Sequence, residues 1–404
     1  MLNQFHLLIL DELVPCEWVN NRGWDEYRSS PEIHKIFEAS VCLYFSKIEP
    51  ATIIRNQQAE NSGDNTVKAI VHQGEGLDGA SYRDMELADV GPGKVCVKLK
   101  AAALNHRDIW TCMRAEPAGP PCVLGSDGAG IVERVGLDVT DMSPGDEVVI
   151  NSSQDWESRE EVPLGEYNVG YKILGFPDHG TFAEYIIIGR HQLEPKPAFL
   201  DWREAAALCL VGITTYRALF TEGRLQTGQT VAIPGIGGGA ATQALLFAKA
   251  AGAKVLVTSR DSTKLETARK LGADLAVASD DSWGQVVRDF TNGRGADIVI
   301  ETIGEATWKQ SIAALANGGR LVVFGATAGS LVEVDLASLF LHWQSIIGTT
   351  MGSRDEFREM LAFSEKHQIH PIIDRAFPLS EGVEALRYLN TARQMGNVVL
   401  DINI

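Results

Sequence analysis

Two short stretches of this 404-residue sequence combine residue types that can do chemistry together. The first is Thr230-Val-Ala-Ile-Pro-Gly235-Ile-Gly237-Gly238-Gly239-Ala240, where an apolar run breaks into a glycine turn and then into a helix-forming segment. Glycines at Gly235, Gly237, Gly238 and Gly239 remove side chains that would hold a pyrophosphate off the backbone. A helix starting beside Ala240 offers unpaired N–H donors and the positive end of its dipole. A glycine-rich turn alone is a weak sign. Here a second apolar strand ends about 20 residues farther on, at Val257-Thr258-Ser259-Arg260, which is the spacing of a dinucleotide site. An enzyme selecting NAD places a carboxylate at that strand end for the ribose hydroxyls. This chain has none: Ser259 can donate, Arg260 can fork onto a 2′-phosphate in a contact of about 1.5–3 kcal/mol, and Lys264 adds charge one turn into the next helix. The alternative for Arg260 is a solvated arginine beside Asp261. NADPH is the expected cofactor.

Such residues need rigid elements behind them. After Pro197 helices alternate with apolar strands: Thr230–Ile233, a helix over 239–251, Lys254–Thr258, a helix over 262–271, Asp297–Glu301, a helix near 307–316, Arg320–Phe324 and Ser345–Gly348. Continuous apolar strands separated by helices imply a parallel sheet covered on both faces. Between Val67 and Pro197 the pattern is one of short strands split by Gly and Pro, including 67–71, 125–135, 145–150 and 180–188. Among them Lys94–Leu99 alternates outward Lys with inward apolar residues, as a half-buried strand does. From about Gly352 helix returns, and Asn397–Asp401 is expected to complete the β-rich part. Residues 1–66 carry no motif and end in a polar stretch from Asn56 to Thr66. They are expected to form a weakly packed extension or to be a gene-model artefact, with a docking arm as the alternative.

Composition excludes several classes. Lys+Arg number 36 and Asp+Glu 53, a net charge of −17 that repels nucleic acid and anionic lipid. No run approaches the ~18 apolar residues of a membrane span. Cysteines 16, 42, 96, 112, 122 and 209 contain no CxxC pair, which argues against a disulfide framework and a thiolate zinc cluster. The apolar run Phe5–Leu10 is too short for a signal peptide. The expectation is a cytoplasmic protein with a small-molecule substrate, no nucleic acid and no membrane.

From Val67 onward the chain resembles a medium-chain dehydrogenase/reductase of the zinc-independent, quinone-oxidoreductase-like or zinc-type alcohol-dehydrogenase-like branch. The resemblance rests on Ala103-Leu-Asn105-His-Arg-Asp108, Leu124 to Val132, Val139 to Asp146, Gly180-Thr-Phe-Ala-Glu-Tyr185, Leu210-Val-Gly-Ile-Thr214-Thr-Tyr216, the glycine turn and Gly348 to Ser353, in that order. It implies an α/β protein: a GroES-like β-rich catalytic domain over 67–196 and 347–404, and a Rossmann doubly wound parallel-sheet domain over 197–346. Zinc alcohol dehydrogenases of this superfamily use a Cys, a Gly-His-Glu and a second Cys. This chain has Asn105, Gly125-Ser126-Asp127 and Leu210 at the matching places, with Cys209 one residue away. Between Asn151 and Lys172, where related enzymes carry four cysteines, it has none. No metal is expected, because Asp127 alone is a good ligand and a catalytic zinc needs three.

The resemblance further implies that Asn105 lines the nicotinamide pocket and Thr214 contacts the ring, with Tyr185 and His179 nearby. For Asn105 the alternative is an asparagine bonding its own turn. His106 is either a packed histidine or an acid, and Asp108 and Asp127 are expected to tie loops to backbone N–H groups. The expected function is NADPH-dependent reduction of a small electrophile: a quinone, an enone or other activated C=C, or a carbonyl. The alternatives are an alcohol dehydrogenase and an NADPH-sensing protein without turnover. The edge strand near Ser345–Thr350 offers a surface for a homodimer.

Overall fold

The structure is a computed structural model that describes residues 66–114, 119–160 and 172–403. The expected N-terminal extension, up to residue 65, lies outside the described residues.

The first strand, Thr66–His72, pairs antiparallel with Ala80–Glu86 and Cys122–Val123. A second, seven-stranded sheet takes its strands from both ends of the described chain. Its order is Leu193–Pro195, Glu147–Ile150, Asp127–Val135, Lys94–Leu104, Asn397–Asp401 and Ile373–Pro378, with Tyr185–Gly189 also on Lys94–Leu104. Asn397–Asp401 thus lies inside the sheet, antiparallel to Lys94–Leu104, with Val398 opposite Leu104. The segment Gly180–Glu184, expected as strand, instead runs between two partners: Phe182 N donates to Leu124 O, and Phe182 O accepts from Ile70 N.

Lys94 is exposed and Lys98 half-buried, but the strand continues past the expected Lys94–Leu99 to Leu104, and residues 101–104 are buried on both faces. The cause is the helix Trp202–Tyr216, which lies across this strand and Asp127–Val135. Small side chains permit the approach, and Ala103, Ala207 and Val399 form one buried cluster. The helix starts with a capping box in which the Asp201 side chain accepts from Glu204 N and Glu204 accepts from Asp201 N.

A third sheet, of six strands, is wholly parallel, ordered Leu275–Ala278, Lys254–Ser259, Thr230–Ile233, Ala296–Glu301, Leu315–Val323 and Ser345–Gly348. Its last strand runs past the expected boundary at 346. Leu275–Ala278 and the helix Trp283–Phe290 were not expected. Alternate residues feed two cores: Val231, Ile233, Val255 and Val257 pack with the helix Gly239–Ala250, while Ala232, Leu256 and Val299 pack with Trp283 and Trp308 on the other face. Chain order reverses between the neighbours Thr230–Ile233 and Ala296–Glu301. In open α/β sheets ligands bind outside the carboxyl ends of strands at such a switch point, and the glycine turn sits there. Among the described residues no helix is long and apolar enough to cross a membrane.

Candidate active site

The glycine turn is anchored to the end of the second parallel strand: Gly235 N donates to Thr258 Oγ1 at 3.2 Å, and Ile236 N to Thr258 O at 2.7 Å. Gly235 has φ +69°, and a Cβ there would lie 2.1 Å from Ile303 Cδ1. A Cβ on Gly237 would lie 2.8 Å from Lys264 Nζ, and one on Gly239 2.0 Å from Asn397 Oδ1. Gly238 caps the helix Gly239–Ala250 in an extended conformation and contributes no side-chain bond, so the amides of the first turn, including that of Ala240, have no side-chain acceptor from the cap. A turn stripped of side chains beside open helix donors fits the pyrophosphate of a dinucleotide.

At the adjoining strand end, Ser259 is buried and its Oγ accepts from Asp261 N at 3.1 Å, which leaves the hydroxyl proton free to donate. Arg260 is exposed. Lys264 is half-buried, and burial lowers its pKa below the usual lysine value. Its ammonium donates to Ala392 O at 2.8 Å. Sequence reasoning missed this cover: residues 392–397 close over the turn, and Gly396 N donates to Gly237 O at 2.8 Å. The signal was available only as Gly396-Asn397 ahead of the closing strand.

The second cluster forms where Lys94–Leu104 passes into the helix His106–Arg114. Asn105 N donates to Asp108 Oδ2 at 2.7 Å, so Asp108 secures the helix start. The Asn105 side chain does not bond its own turn. Its Nδ2 donates to Asp127 Oδ2 at 2.7 Å, across the sheet. Asp127 Oδ1 accepts from Leu210 N at 2.6 Å and lies 3.4 Å from Ser152 Oγ, and the Asp127 main-chain oxygen accepts from Thr181 Oγ1 at 2.6 Å. Burial pushes the Asp127 carboxyl up to about 8 against the opposing bonds from Asn105 and Leu210, with Asp108 adding repulsion. Burial likewise takes Asp108 to about 6, opposed by the Arg107 guanidinium and the Asn105 amide.

The donor set does not fit zinc. Asn105 presents an N–H to Asp127 and Leu210 a backbone N–H, whereas a metal requires lone pairs. Ser126 Oγ donates to Leu174 O and accepts from Arg107, both at 2.7 Å. The nearby Cys209 thiol contacts Ala205 O at 3.3 Å, and burial raises its pKa well above the ordinary value. Among the described residues no group of three His, Cys, Asp or Glu is placed to hold a metal.

Thr214 is buried on the same helix as Leu210; its hydroxyl donates to Leu210 O at 2.7 Å and lies 3.8 Å from Met351 Sδ. Asn105, Asp127, Leu210, Thr214 and Met351 are therefore linked. Tyr185 is not among them. It pairs opposite Lys98, whose ammonium sits 5.9 Å from its ring. Asn105 follows seven residues along that extended strand, roughly 20 Å away. His179 Nδ1 accepts from Val123 N at 3.2 Å. His106 has its pKa lowered by burial and lies beside Trp110, their rings 6.4 Å apart. Two surface cavities, of about 550 Å³ beside His370 and about 750 Å³ beside Trp308, contain none of the expected site residues.

Comparison with known proteins agrees with this architecture. Residues 91–198 match the alcohol dehydrogenase GroES-like domain, and residues 239–366 match the zinc-binding dehydrogenase family. A zinc-type alcohol dehydrogenase-like protein of Schizosaccharomyces pombe is 37% identical over 324 residues, covering 78% of this chain and 92% of its own length. A crystal structure of an NAD-dependent alcohol dehydrogenase is 35% identical with a TM-score of 0.77, covering 83% of this chain and all of its own. The 2-octenoyl-CoA carboxylase reductase CinF, solved with NADP and 2-octenoyl-CoA, is 26% identical with a TM-score of 0.75, covering 84% of this chain and 88% of its own. The chain belongs to the medium-chain dehydrogenase/reductase superfamily and is an oxidoreductase with a GroES-like domain and a Rossmann domain. That family uses a nicotinamide cofactor.

Proposed function

We propose that this protein is an NADPH-dependent, zinc-independent reductase of a small electrophile, a quinone, an enone or other activated C=C, or a carbonyl. The observation that carries this reading is the closure of Asn105 on Asp127 at the positions where zinc relatives hold their metal. Oxidising an alcohol requires its O–H proton to leave, which zinc promotes as a Lewis acid. N–H groups in those positions do not. A C=C conjugated to a carbonyl is already electron-poor and needs a hydride plus a donor for the developing oxyanion. Bound NADPH supplies the hydride. The second amide N–H of Asn105 is the donor, and Thr214 shapes the pocket beside it.

Gly235, Gly237, Gly238, Gly239 and Ala240 hold the pyrophosphate, while Ser259, Arg260 and Lys264 hold the 2′-phosphate. The NADP and the enoyl thioester bound to CinF support both parts of the assignment. The catalytic domain spans 67–196 and 347–404, and the nucleotide domain 197–346. Four buried free thiols, Cys96, Cys112, Cys122 and Cys209, suit a reducing cytoplasm. Two chains join through Ser345–Gly348, an edge strand flanked by exposed Leu331, Leu336, Phe340, Leu341 and Trp343.

The test is NADPH consumption, followed by absorbance, across quinones, enones, enoyl thioesters and aldehydes, alongside NADP reduction by simple alcohols. Turnover is expected with the conjugated substrates and not with the alcohols. Brisk alcohol oxidation without activity on any electrophile would reject the reading, and cofactor binding without any turnover would favour a sensor.

A further inference from the structure

We propose that Asp127 is a positioning residue: its buried carboxylate captures one N–H of Asn105 and thereby decides which edges of that amide face the cleft. The inference rests on the reading that Asn105 meets the substrate. A primary amide has two donors on one side and an acceptor on the other, and its two flipped forms occupy nearly the same volume. A site that must donate to an oxyanion needs something to choose between them.

Both oxygens of Asp127 act as acceptors here. Oδ1 takes Leu210 N at 2.6 Å and Oδ2 takes Asn105 Nδ2 at 2.7 Å. With the Asp127 carboxyl ionised, a flipped Asn105 would set its carbonyl oxygen against Oδ2 and leave a buried repulsion in place of a bond. The carboxylate is itself pinned from the far side by the Leu210 amide, on the helix that also carries Thr214. The orientation of Asn105 is therefore referenced to the helix beside the proposed nicotinamide pocket rather than to its own turn. The backbone N–H of Asn105 is already satisfied by Asp108, so the helix start does not depend on the contact with Asp127.

The experiment compares Asn105→Ala, Asp127→Asn, the double variant Asn105→Ala/Asp127→Asn and the exchange Asn105→Asp/Asp127→Asn, on a substrate that the unmodified protein reduces. Turnover, KM, NADPH affinity and thermal midpoint are measured for each above pH 8, where the Asp127 carboxyl is ionised. Asp127→Asn is expected to lower kcat about 10- to 100-fold while leaving NADPH affinity within about twofold. In the Asn105→Ala background it should cost nothing further in kcat. The exchange restores the donor–acceptor pair, because an asparagine at 127 can accept from Leu210 N and donate to the new carboxylate. It should therefore recover the thermal midpoint but not turnover.

Wild-type kcat in Asp127→Asn, an additive loss in the double variant, or recovery of turnover by the exchange would overturn the proposal and leave the pair as a structural staple. If Asp127→Asn does not fold, the exchange alone decides: folded and inactive supports positioning, whereas folded and active, or failure to fold, overturns it. An unmodified protein inactive on every electrophile would instead be a failure of the underlying reading.

Discussion

On the proposed reading, cofactor choice turns on Arg260. It is exposed at the end of a strand whose neighbouring Ser259 hydroxyl retains a proton to donate. Arg260→Ala should weaken NADPH by about 10- to 100-fold and leave NADH nearly unchanged, as fluorescence titration would show; equal affinities in the unmodified protein would dismiss the assignment. Asp127 gives a second prediction at this scale. Burial pushes its folded carboxyl up to about 8 from an ordinary 3.8, so between those limits the folded chain binds the proton that the unfolded chain has released. Stability then falls as pH rises through that window, and Asp108 acts in the same direction up to about 6. Chemical denaturation from pH 5 to 8 should show that decline, and Asp127→Asn should flatten it. The glycines and the missing acid at Ser259-Arg260 were legible because their roles depend on local spacing. The Asn105–Asp127 bond was not, since it joins residues 22 apart through a sheet register that no local pattern encodes. Tyr185 illustrates the converse: the resemblance places it near the site, and its pairing opposite Lys98 sets it apart along an extended strand.

At the scale of elements, the helix Trp202–Tyr216 packs on the seven-stranded sheet and against the helix Gly239–Ala250. Its capping signal, Asp201 followed by Glu204 and then three alanines, stood in the sequence, and the segment was still read only as a motif around Thr214. Its apolar residues surround it on nearly every side, so the one-faced periodicity that marks a surface helix is absent. The same helix covers residues 101–104 of Lys94–Leu104, past the stretch 94–99 that reads as half-buried. Ala207 is fully buried where this helix meets Ala103 and Val399. Ala207→Leu should therefore overpack the contact and cost about 1–3 kcal/mol, seen as a lowered thermal midpoint. An unchanged midpoint would mean that helix and sheet are less closely fitted than described.

For the whole molecule, the proposed dimer rests on the apolar surface beside the edge strand. Trp343 is 74% exposed and Leu331 86%, and clustered apolar exposure of this kind marks interaction surfaces. Light scattering should report about twice the 43.9 kDa of one chain, and Trp343→Lys combined with Leu341→Lys should return it to one. The alternation of helices with apolar strands made the parallel sheet legible, and Gly-Pro punctuation did the same for the β-rich part. That Asn397–Asp401 completes that part was expected from the chain pattern, whereas its place in the middle of the sheet, beside Lys94–Leu104, is encoded by no local pattern. That placement bears on how the protein is made. The parallel strands have all left the ribosome once Gly348 emerges, whereas the β-rich sheet lacks an inner strand until Asn397–Asp401 follows. The same late segment brings Gly396 onto Gly237. A nascent or prematurely terminated chain would thus hold a nucleotide fold with an unfinished site, and the site is completed only once Asn397–Asp401 has been made.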